Sequence, residues 1–327
     1  MIPERLFNGG LLAALLAFVF YAQAVDETYW ITLTTRAVIF AIAGIGLNLA
    51  LGYGGMVSFG HAAFFGIGGY AMGILASHAQ GYTPIYDGWV TINGSQNMLV
   101  IWLVALIAGG IVALLIGLLS LRTTGAYFIM ITLAFGQMFY YFSISWPAYG
   151  GEDGVIIYLR NGFPGLNTMD TVQFFALCFA VLTLVLVLMG ALNRSAFGLA
   201  LNAVRQTPER VETVGIHTLR LKLTAFVISG MITALAGALF ADLNKYVSPA
   251  MFSWSISGEI MIFVILGGVA RLFGPLVGAV VFVFLEEVLG GLSDYWHIYL
   301  GLLLLLVVLF AKGGITGLLT RKGAAHD

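Results

Sequence analysis

The chain has 327 residues, a net charge of −1, 60% hydrophobic residues and only 9% charged residues. Soluble domains carry roughly 25% charged residues, so this composition excludes an ordinary soluble protein and indicates a polytopic membrane protein. Cys178 is the only cysteine, which excludes an internal disulfide and argues against a cysteine-based metal site.

Apolar segments follow one another along the chain, several of them near the roughly 20 residues that span a bilayer. Their approximate bounds are 7–25, 35–52, 56–78, 98–119, 125–146, 172–192, 223–243, 257–270, 274–290 and 296–311, of which the eighth is short. We predict an all-α fold, a polytopic membrane helix bundle of about 8–10 transmembrane helices with Gly-rich broken segments. Residues 1–327 are expected to form a single membrane domain.

The first segment resembles a signal peptide, because Arg5 precedes the apolar run and Ala-Gln-Ala at 22–24 resembles a cleavage site. We interpret it as an uncleaved span, since the topology of the remaining segments requires this helix. With a cytoplasmic N-terminus, eleven of the 14 basic residues fall on the inner side. The exceptions are Arg36, Arg160 and Lys245. This distribution follows the positive-inside rule and predicts a plasma-membrane protein with both termini cytoplasmic.

Glycines interrupt the second and third segments between Gly52 and His61, and Gly69 and Gly73 add a small-xxx-small spacing. A broken helix at membrane depth is tolerated where it is buried in protein or lines a cavity, which favours a translocation pathway. Tight packing at a loop edge is the alternative. A second Gly-rich break runs from 267 to 278, with too little identity to the first to establish an internal repeat.

Polar side chains inside apolar segments are functional hypotheses by default. They occur at Asn48, Ser58, His61, Thr132, Gln137, Glu259, Glu286 and Glu287. The candidates for the pathway are those in the first break and its flanks: Asn48, Ser58, Gly60, His61 and Phe64. Ser58 and His61 lack an oriented acid, so we predict no catalytic residues and no enzyme; the imidazole is expected to bond backbone within the break. Glu286 and Glu287 are interpreted as a solvated helix end.

The segment 194–222 is polar and holds five of the 14 basic residues. Thr207 is a suitable N-cap, Pro208 fits the first helical turn, and Gly215 fits the left-handed position after the helix. This pattern predicts a short surface helix in a cytoplasmic loop, either an ordinary positive-inside loop or a docking site for a soluble motor. The chain contains no Gly-rich phosphate loop ending in Gly-Lys-Ser/Thr, so it is not expected to hydrolyse ATP by itself.

Several motifs together resemble the LivM-type permease subunit of branched-chain amino-acid ABC importers. They are 46–49, 52–70, Thr132-Leu133-Ala134-Phe135-Gly136, 150–154, 222–226 with 236–239, Val247-Ser248-Pro249, and 266–268 with Gly274-Pro275. The resemblance implies a homologous second permease, two cytoplasmic ATPase subunits that bind the ATP, and a periplasmic substrate-binding protein. No cofactor and no metal is expected on this chain.

The resemblance also implies roles for residues outside the apolar segments. The loop after the sixth segment is similar to the segment that docks into the ATPase, with Arg205, Glu209, Arg210, Glu212 and Gly215 as coupling candidates. On the outer side, the candidates for docking of the binding protein are Glu152, Asp153 and Lys245.

Two positions depart from the family pattern. Ala270-Arg271 stands where a Gly and a small hydroxyl residue are usual, and Gly313-Gly314 replaces a Pro-Arg. The substrate is therefore left open between branched-chain or other small amino acids and urea or short amides. A free-standing secondary transporter or channel and an intramembrane enzyme are the remaining alternatives, and co-purification with ATPase subunits would separate the importer from the former.

Overall fold

The computed structural model describes residues 2–87, 91–292, 295–310 and 313–321, and its main elements are helices. The helices are α1 (Glu4–Ala24), α2 (Thr28–Asn48, continued by a π-helical turn at Leu49–Tyr53), α3 (His61–Gln80), α4 (Met98–Ser120), α5 (Ala126–Ile144), α6 (Thr171–Arg194), α7 (Ala196–Gln206), α8 (Pro208–Thr213), α9 (Thr218–Asn244), α10 (Trp254–Gly267), α11 (Gly274–Leu292), α12 (Trp296–Phe310) and α13 (Gly314–Leu319).

Short strands form three pairs within the described ranges. Strand β1 (Ile2–Pro3) pairs in parallel with β6 (Thr320–Arg321). The antiparallel pairs are β2 (Pro84–Tyr86) with β3 (Ile92–Asn93), and β4 (Val155–Ile156) with β5 (Tyr246–Val247). The last pair joins two loops that are 90 residues apart in the chain.

Within the described ranges, eight helices are long and apolar enough to cross a membrane, which confirms the polytopic helix bundle. The eighth and tenth predicted segments form the shorter helices α10 and α12. At 1.5 Å per residue, the 14 residues of α10 extend about 21 Å, less than the roughly 30 Å hydrocarbon core of a bilayer. The short eighth segment therefore covers only part of the membrane depth.

Helix α9 lies at the centre of the bundle and packs against α2, α3 and α4. The middle of α2, from Ala37 to Ile45, is almost completely buried. By contrast, α4 exposes a stripe of large apolar side chains that includes Leu103, Ile107 and Ile111. Exposed apolar stripes on helices of this length suit contact with lipid or with another membrane subunit.

Contacts between helix ends divide the bundle into two faces. On one face, here called the basic face, Arg205 contacts Gly52, Asn48 contacts the turn after α10, and Thr316 contacts Gly267. On the opposite face, Gln80 at the end of α3 bonds the backbone of the 157–163 segment, which also pairs with the start of α4. Both described chain ends lie on the basic face, where β1 pairs with β6. Lys312 and Lys322, which entered the count of basic residues, lie outside the described residues.

Both predicted breaks are present. The helical path from α2 ends at Tyr53, and residues 54–60 are non-helical before α3 begins at His61. The second break is the turn 268–273 between α10 and α11, in which Ala270 has φ of 61°. Helix α3 therefore begins five residues after the predicted start of the third segment, because residues 56–60 belong to the break.

The charge distribution predicts the orientation of the two faces, and cysteine labelling tests it. In a Cys178→Ala background, Arg210→Cys on the basic face should react with a membrane-impermeant thiol reagent only from the cytoplasm. Asp153→Cys on the opposite face should react only from outside. Both positions are exposed, so access does not limit labelling. Reaction of both cysteines from one side would contradict the ten-segment topology.

Candidate functional site

The first break lies within the bundle and is held by side chains of two other helices, α5 and α10. Phe59 N donates to Thr132 Oγ1 of α5 (3.3 Å), and Gly60 N donates to Ser58 Oγ (3.2 Å). The amide of Ala62, the second residue of α3, donates to Ser257 Oγ of α10 (2.8 Å). A buried helix start needs such acceptors, because its first N–H groups have no partner within the helix.

His61 is fully buried and joins α3 to α9 and α2. Its Nε2 lies 2.8 Å from Ser229 Oγ, and the Ser229 hydroxyl donates to the Gly46 carbonyl oxygen (2.6 Å). Since the only hydroxyl hydrogen of Ser229 is used on Gly46, this network assigns Nε2 as the donor. Nδ1 is buried without a hydrogen-bond partner among the described residues. The expectation of a backbone partner for His61 is therefore corrected, since Ser229 stands between the imidazole and the carbonyl.

Asn48 ties the first break to the second. Its side-chain Nδ2 donates to the Arg271 carbonyl oxygen (2.8 Å), and its Oδ1 accepts from Ala270 N (3.0 Å). Both hydrogen bonds hold the turn in which Ala270 adopts its left-handed conformation. A non-Gly residue in that conformation persists when its surroundings over-determine it, and Asn48 supplies two such constraints.

The five predicted pathway residues are thus located, but they do not all face one opening. Asn48, Ser58, His61 and Phe64 are buried by helices of the same chain, and Phe64 packs edge-on against His61 and Phe226. Gly60 lies against α5, where an added Cβ would come 2.9 Å from the Thr132 carbonyl oxygen. A route along this segment stays a prediction.

Two cavities lie along α5 on either side of its contact with the break. On the basic face, a cavity of about 140 Å³ is lined by residues that include Gly55, Val57, Phe128 and Lys222. Toward the opposite face, an apolar cavity of about 390 Å³ between α3, α4 and α5 is lined by residues that include Ile67, Tyr70, Phe139, Phe142, Trp146 and Phe252. We call them the inner and outer cavities. Thr132, which contacts Phe59 and Gly60, lies on α5 between the residues that line the inner cavity and those that line the outer cavity.

The 194–222 loop contains the predicted short helix, α8, preceded by the amphipathic α7. Gly215 has φ of 89°, and two backbone bonds close the helix: Gly215 N to Glu212 O and Ile216 N to Val211 O. This is a Schellman motif with glycine at the predicted position. Thr207 occupies the N-cap, although its hydroxyl makes no capping bond.

All the coupling candidates are exposed, and two of them, Arg205 and Glu212, also contact other parts of the chain. Arg205 Nη1 donates to the Gly52 carbonyl oxygen, and its side-chain stem lies across Gly55, where an added Cβ would come 3.1 Å from Arg205 Cγ. Glu212 Oε1 accepts from the Thr218 hydroxyl at the start of α9. Glu209 and Arg210 are exposed. The loop is therefore attached to the first break by one arginine and to α9 by one carboxylate.

On the opposite face, the structure brings the predicted docking residues into one region. Tyr246 donates from its hydroxyl to the Asp153 carbonyl oxygen (2.6 Å), and Ile157 N donates to the Lys245 carbonyl oxygen (2.9 Å). Glu152 and Asp153 are exposed and Lys245 is half-buried. The β4–β5 pair thus holds the two candidate loops side by side.

A buried polar cluster beneath this pair was missed in the sequence. Asp242 Oδ1 accepts from both N (3.1 Å) and Nδ2 (3.2 Å) of Asn161. Arg160 donates to the Leu243 and Thr168 carbonyl oxygens and lies 4.5 Å from the centre of the Phe174 ring. Burial lowers the pKa of the Arg160 guanidinium, and the charge of Asp242 opposes that shift. Asp242 lies at the end of the predicted apolar segment 223–243, and a carboxylate at such a position could have indicated this cluster.

Glu286 corrects another expectation. Arg36 Nη2 donates to both carboxylate oxygens of Glu286 (3.1 and 3.0 Å) and so joins α2 to α11. The side chain of Arg36 is about two-thirds buried, and that of Glu286 about three-quarters. The predicted solvated helix end is therefore wrong for Glu286. Because Arg36 and Glu286 are 250 residues apart, the sequence around Glu286 could not predict this ion pair.

Among the described residues, no group of three or more His, Cys, Asp or Glu side chains is arranged to hold a metal ion. Ser58 does not contact His61 Nε2, which is occupied by Ser229. The polar groups of the break therefore brace helices against one another.

Comparisons with known proteins agree with this architecture. Residues 29–311 match the family described as branched-chain amino acid transport system, permease component. The chain is 27% identical to the high-affinity branched-chain amino acid transport system permease protein LivM of Escherichia coli, over 96% of this chain and 75% of the relative. The LivH permease protein of the same system in E. coli is 23% identical, over 85% of this chain and 91% of the relative.

More distant similarity extends to a permease of another import system. The autoinducer 2 import system permease protein LsrC of Enterobacter is 31% identical over 45% of this chain and 45% of the relative. No solved structure matches the chain.

Proposed function

This chain belongs to the family of branched-chain amino acid transport permeases, as a permease subunit of an ABC importer, and we propose that it carries branched-chain or other small amino acids. It acts as a single membrane domain paired with a homologous second permease. Two cytoplasmic ATPase subunits bind the ATP, a periplasmic protein delivers the substrate, and this chain holds no cofactor and catalyses no reaction. It resides in the inner membrane with both termini cytoplasmic.

The observation that carries this proposal is the pair of cavities separated by the first break. Alternating access requires that no continuous passage joins the two sides of the membrane, and the contact of Phe59 and Gly60 with Thr132 suits such a barrier. The outer cavity is lined by apolar and aromatic side chains, which suits an aliphatic side chain. The buried Tyr70 hydroxyl lies near the Ser143 hydroxyl in the lining of this cavity, and both are available to a polar group of the substrate.

We infer the coupling path from the contacts of the 194–222 loop, here called the basic loop. Closure of the ATPase subunits pushes on α8, whose exposed Glu209 and Arg210 form the contact. The displacement reaches the break through Arg205, which bonds the Gly52 carbonyl oxygen. It reaches α9 through Glu212 and Thr218. On the outer side, the loops carrying Glu152, Asp153 and Lys245 receive the binding protein.

Reconstituted transport tests the proposal. The chain is co-purified with its second permease and ATPase subunits, reconstituted into proteoliposomes that enclose ATP, and supplied from outside with the binding protein, and uptake of radiolabelled leucine is measured. We expect uptake to require ATP and all partners, and unlabelled isoleucine and valine to compete. Competition by urea or acetamide without competition by isoleucine would reassign the substrate. Uptake by the chain alone, driven by an ion gradient, would overturn the importer.

Bulky apolar substitutions at Ser58 and Gly60 in the first break should stop transport. In Gly60→Leu, the new side chain meets the Thr132 carbonyl and holds α5 away from the break; Ser58→Leu removes the acceptor of Gly60 N and adds bulk. We expect both variants to lose uptake at normal expression. Gly9→Leu on α1, where an added Cβ has no neighbour within 4 Å, is the matched control.

The same vesicles test the role of His61. Its imidazole is enclosed and bonded to Ser229, so we expect His61→Ala to lower uptake less than Gly60→Leu does. The wild-type protein should show no pH step, within roughly pH 5–8, that disappears in the variant. A step of that kind would favour a proton-coupled carrier, and near-normal uptake in both leucine variants would assign the break to packing.

A further inference from the structure

A short segment after α9 lies in a groove of α3. Residues 246–252, here called the strap, consist of β5 and a single 3-10 turn, Pro249–Phe252. An added Cβ on any of three α3 glycines would come within 2.8 Å of the strap side chain above it. Phe252 lies over Gly66, Met251 over Gly69 and Val247 over Gly73. Spacings of three and four residues place these glycines on one face of α3, so the strap runs along the helix toward the first break.

Phe252 fills the gap between α3 and α5 next to the first break. Its ring centre lies 5.3 Å from that of Tyr70 on α3 and 6.2 Å from that of Phe139 on α5, and the residue is 4% exposed. The lining of the outer cavity begins at Ile67, one residue after Gly66, so Phe252 lies at the end of the cavity nearest to the break. The charged groups of an amino acid would lose their hydration between these rings, which makes the stack a barrier to such a substrate.

The strap is attached to the loop proposed to receive the binding protein. Strand β5 pairs with β4, and the Tyr246 hydroxyl donates to the Asp153 carbonyl oxygen (2.6 Å). Gly154 has φ of 72°, and an added Cβ there would come 2.1 Å from the Val247 carbonyl oxygen, so the two backbones are in direct contact. A displacement of the 150–154 loop is therefore passed to the strap.

The other end of the strap continues into α10, which holds the first break. Ser253 caps α10 by accepting from Ser255 N (3.3 Å), and Ser257 accepts from Ala62 N at the start of α3 (2.8 Å). The amide of Met251 bonds within the strap, to the Ser248 carbonyl oxygen. Among the described residues, no hydrogen bond joins the 3-10 turn to α3, so this turn can leave the groove without breaking one.

We propose, on the basis of the importer proposed above, that the strap is the outer gate of the pathway and that Phe252 is the residue that closes it. Docking of the loaded binding protein on the 150–154 loop draws the strap from the glycine groove and removes the Phe252 ring from between Tyr70 and Phe139. Through α10, the same movement releases the start of α3, and the outer cavity opens toward the break. Glycines suit this groove because, without a Cβ, they let another segment lie directly on the helix backbone.

A disulfide between the strap and α3 tests the movement. An added Cβ on Gly73 would lie 3.3 Å from Val247 Cβ, close to the roughly 3.5–4.5 Å found in disulfides. In a Cys178→Ala background, Gly73→Cys is combined with Val247→Cys, and uptake by the reconstituted assembly is measured after oxidation and again after reduction. We expect oxidation to abolish uptake and reduction to restore it, while Val247→Cys alone responds to neither. Equal uptake by the oxidised and reduced pair would overturn the gate.

Thiol labelling measures opening separately from transport. Gly136 lies on α5 three residues from Phe139 toward the break, and an added Cβ there would have room, at 3.7 Å from the Phe59 carbonyl oxygen. In right-side-out vesicles, Gly136→Cys in the same background should react with an externally added, membrane-impermeant reagent only during turnover with the binding protein. Adding Phe252→Ala should make it react without the binding protein. Phe175→Ala, which removes a buried ring from α6, is the control and should not.

The two measurements distinguish a failure of the gate from a failure of the importer. Equal labelling of Gly136→Cys with and without Phe252→Ala would overturn the gate even if ATP-driven uptake is normal. If the importer is wrong, the reduced double-cysteine protein takes up substrate without ATP. Labelling in the absence of the binding protein then still shows whether Phe252 closes the gap between α3 and α5.

Discussion

Arg205→Ala is expected to lower ATP-driven uptake about tenfold while membrane insertion stays normal, if the free energy of one charge-assisted hydrogen bond is lost from coupling. Arg205 is the residue of the basic loop that bonds the broken segment after α2, at the Gly52 carbonyl oxygen. Without it, movement of α7 and α8 reaches the break only through packing. The measurement is initial-rate uptake together with ATP hydrolysis by the full assembly.

Measuring uptake and ATP hydrolysis together shows whether the variant loses coupling or loses ATPase activity. ATP hydrolysis should continue in Arg205→Ala, because the ATPase sites are on other subunits, so the ratio of substrate moved to ATP consumed should fall. Arg220→Ala serves as the control, since Arg220 is also exposed on the basic face and its side chain makes no hydrogen bond to the break. An unchanged ratio in Arg205→Ala, or an equal fall in both variants, would remove Arg205 from the coupling path.

Gly68→Ala and Gly237→Ala should each destabilise the folded chain by about 3 kcal/mol, at the upper end of the usual cost of overpacking. Added Cβ atoms would come 1.8 Å from the Ala234 carbonyl oxygen and 1.9 Å from the Phe65 carbonyl oxygen. Backbone atoms cannot rotate away, so α3 and α9 must separate along their whole contact. Small residues at such crossings allow close helix approach in lipid.

Thermal stability in detergent, followed by the amount of monodisperse protein that remains after heating, measures this effect. The control is Gly301→Ala in α12, where an added Cβ has no neighbour within 4 Å. Alanine has the higher helix propensity, by roughly 1 kcal/mol, so the control should be neutral or slightly more stable. Wild-type stability of Gly68→Ala would mean that α3 and α9 are less closely packed than the distances state.

Some of this site was predictable because the signals were local. The Thr207-Pro208 start and the Gly215 stop of α8 are conformational preferences of single residues, and both positions are occupied as predicted. The break at 54–60 was also predictable, since glycines and polar residues interrupt an apolar pattern there. What these residues contact was not predictable. Ser58 and His61 share a short segment, yet they bond Gly60 and Ser229 respectively.

Hydropathy and charge were sufficient to determine a polytopic helix bundle, its breaks and its basic face, because a segment's transfer free energy into a bilayer depends mainly on its own residues. Only the tertiary structure decided which polar groups meet. Arg205 and Gly52 are 153 residues apart, and His61 and Ser229 are 168 apart. The ion pair of Arg36 with Glu286 likewise joins distant segments. A buried polar group must find a partner in the low-dielectric interior, but the partner is chosen by the way the helices pack, and no local pattern contains that choice.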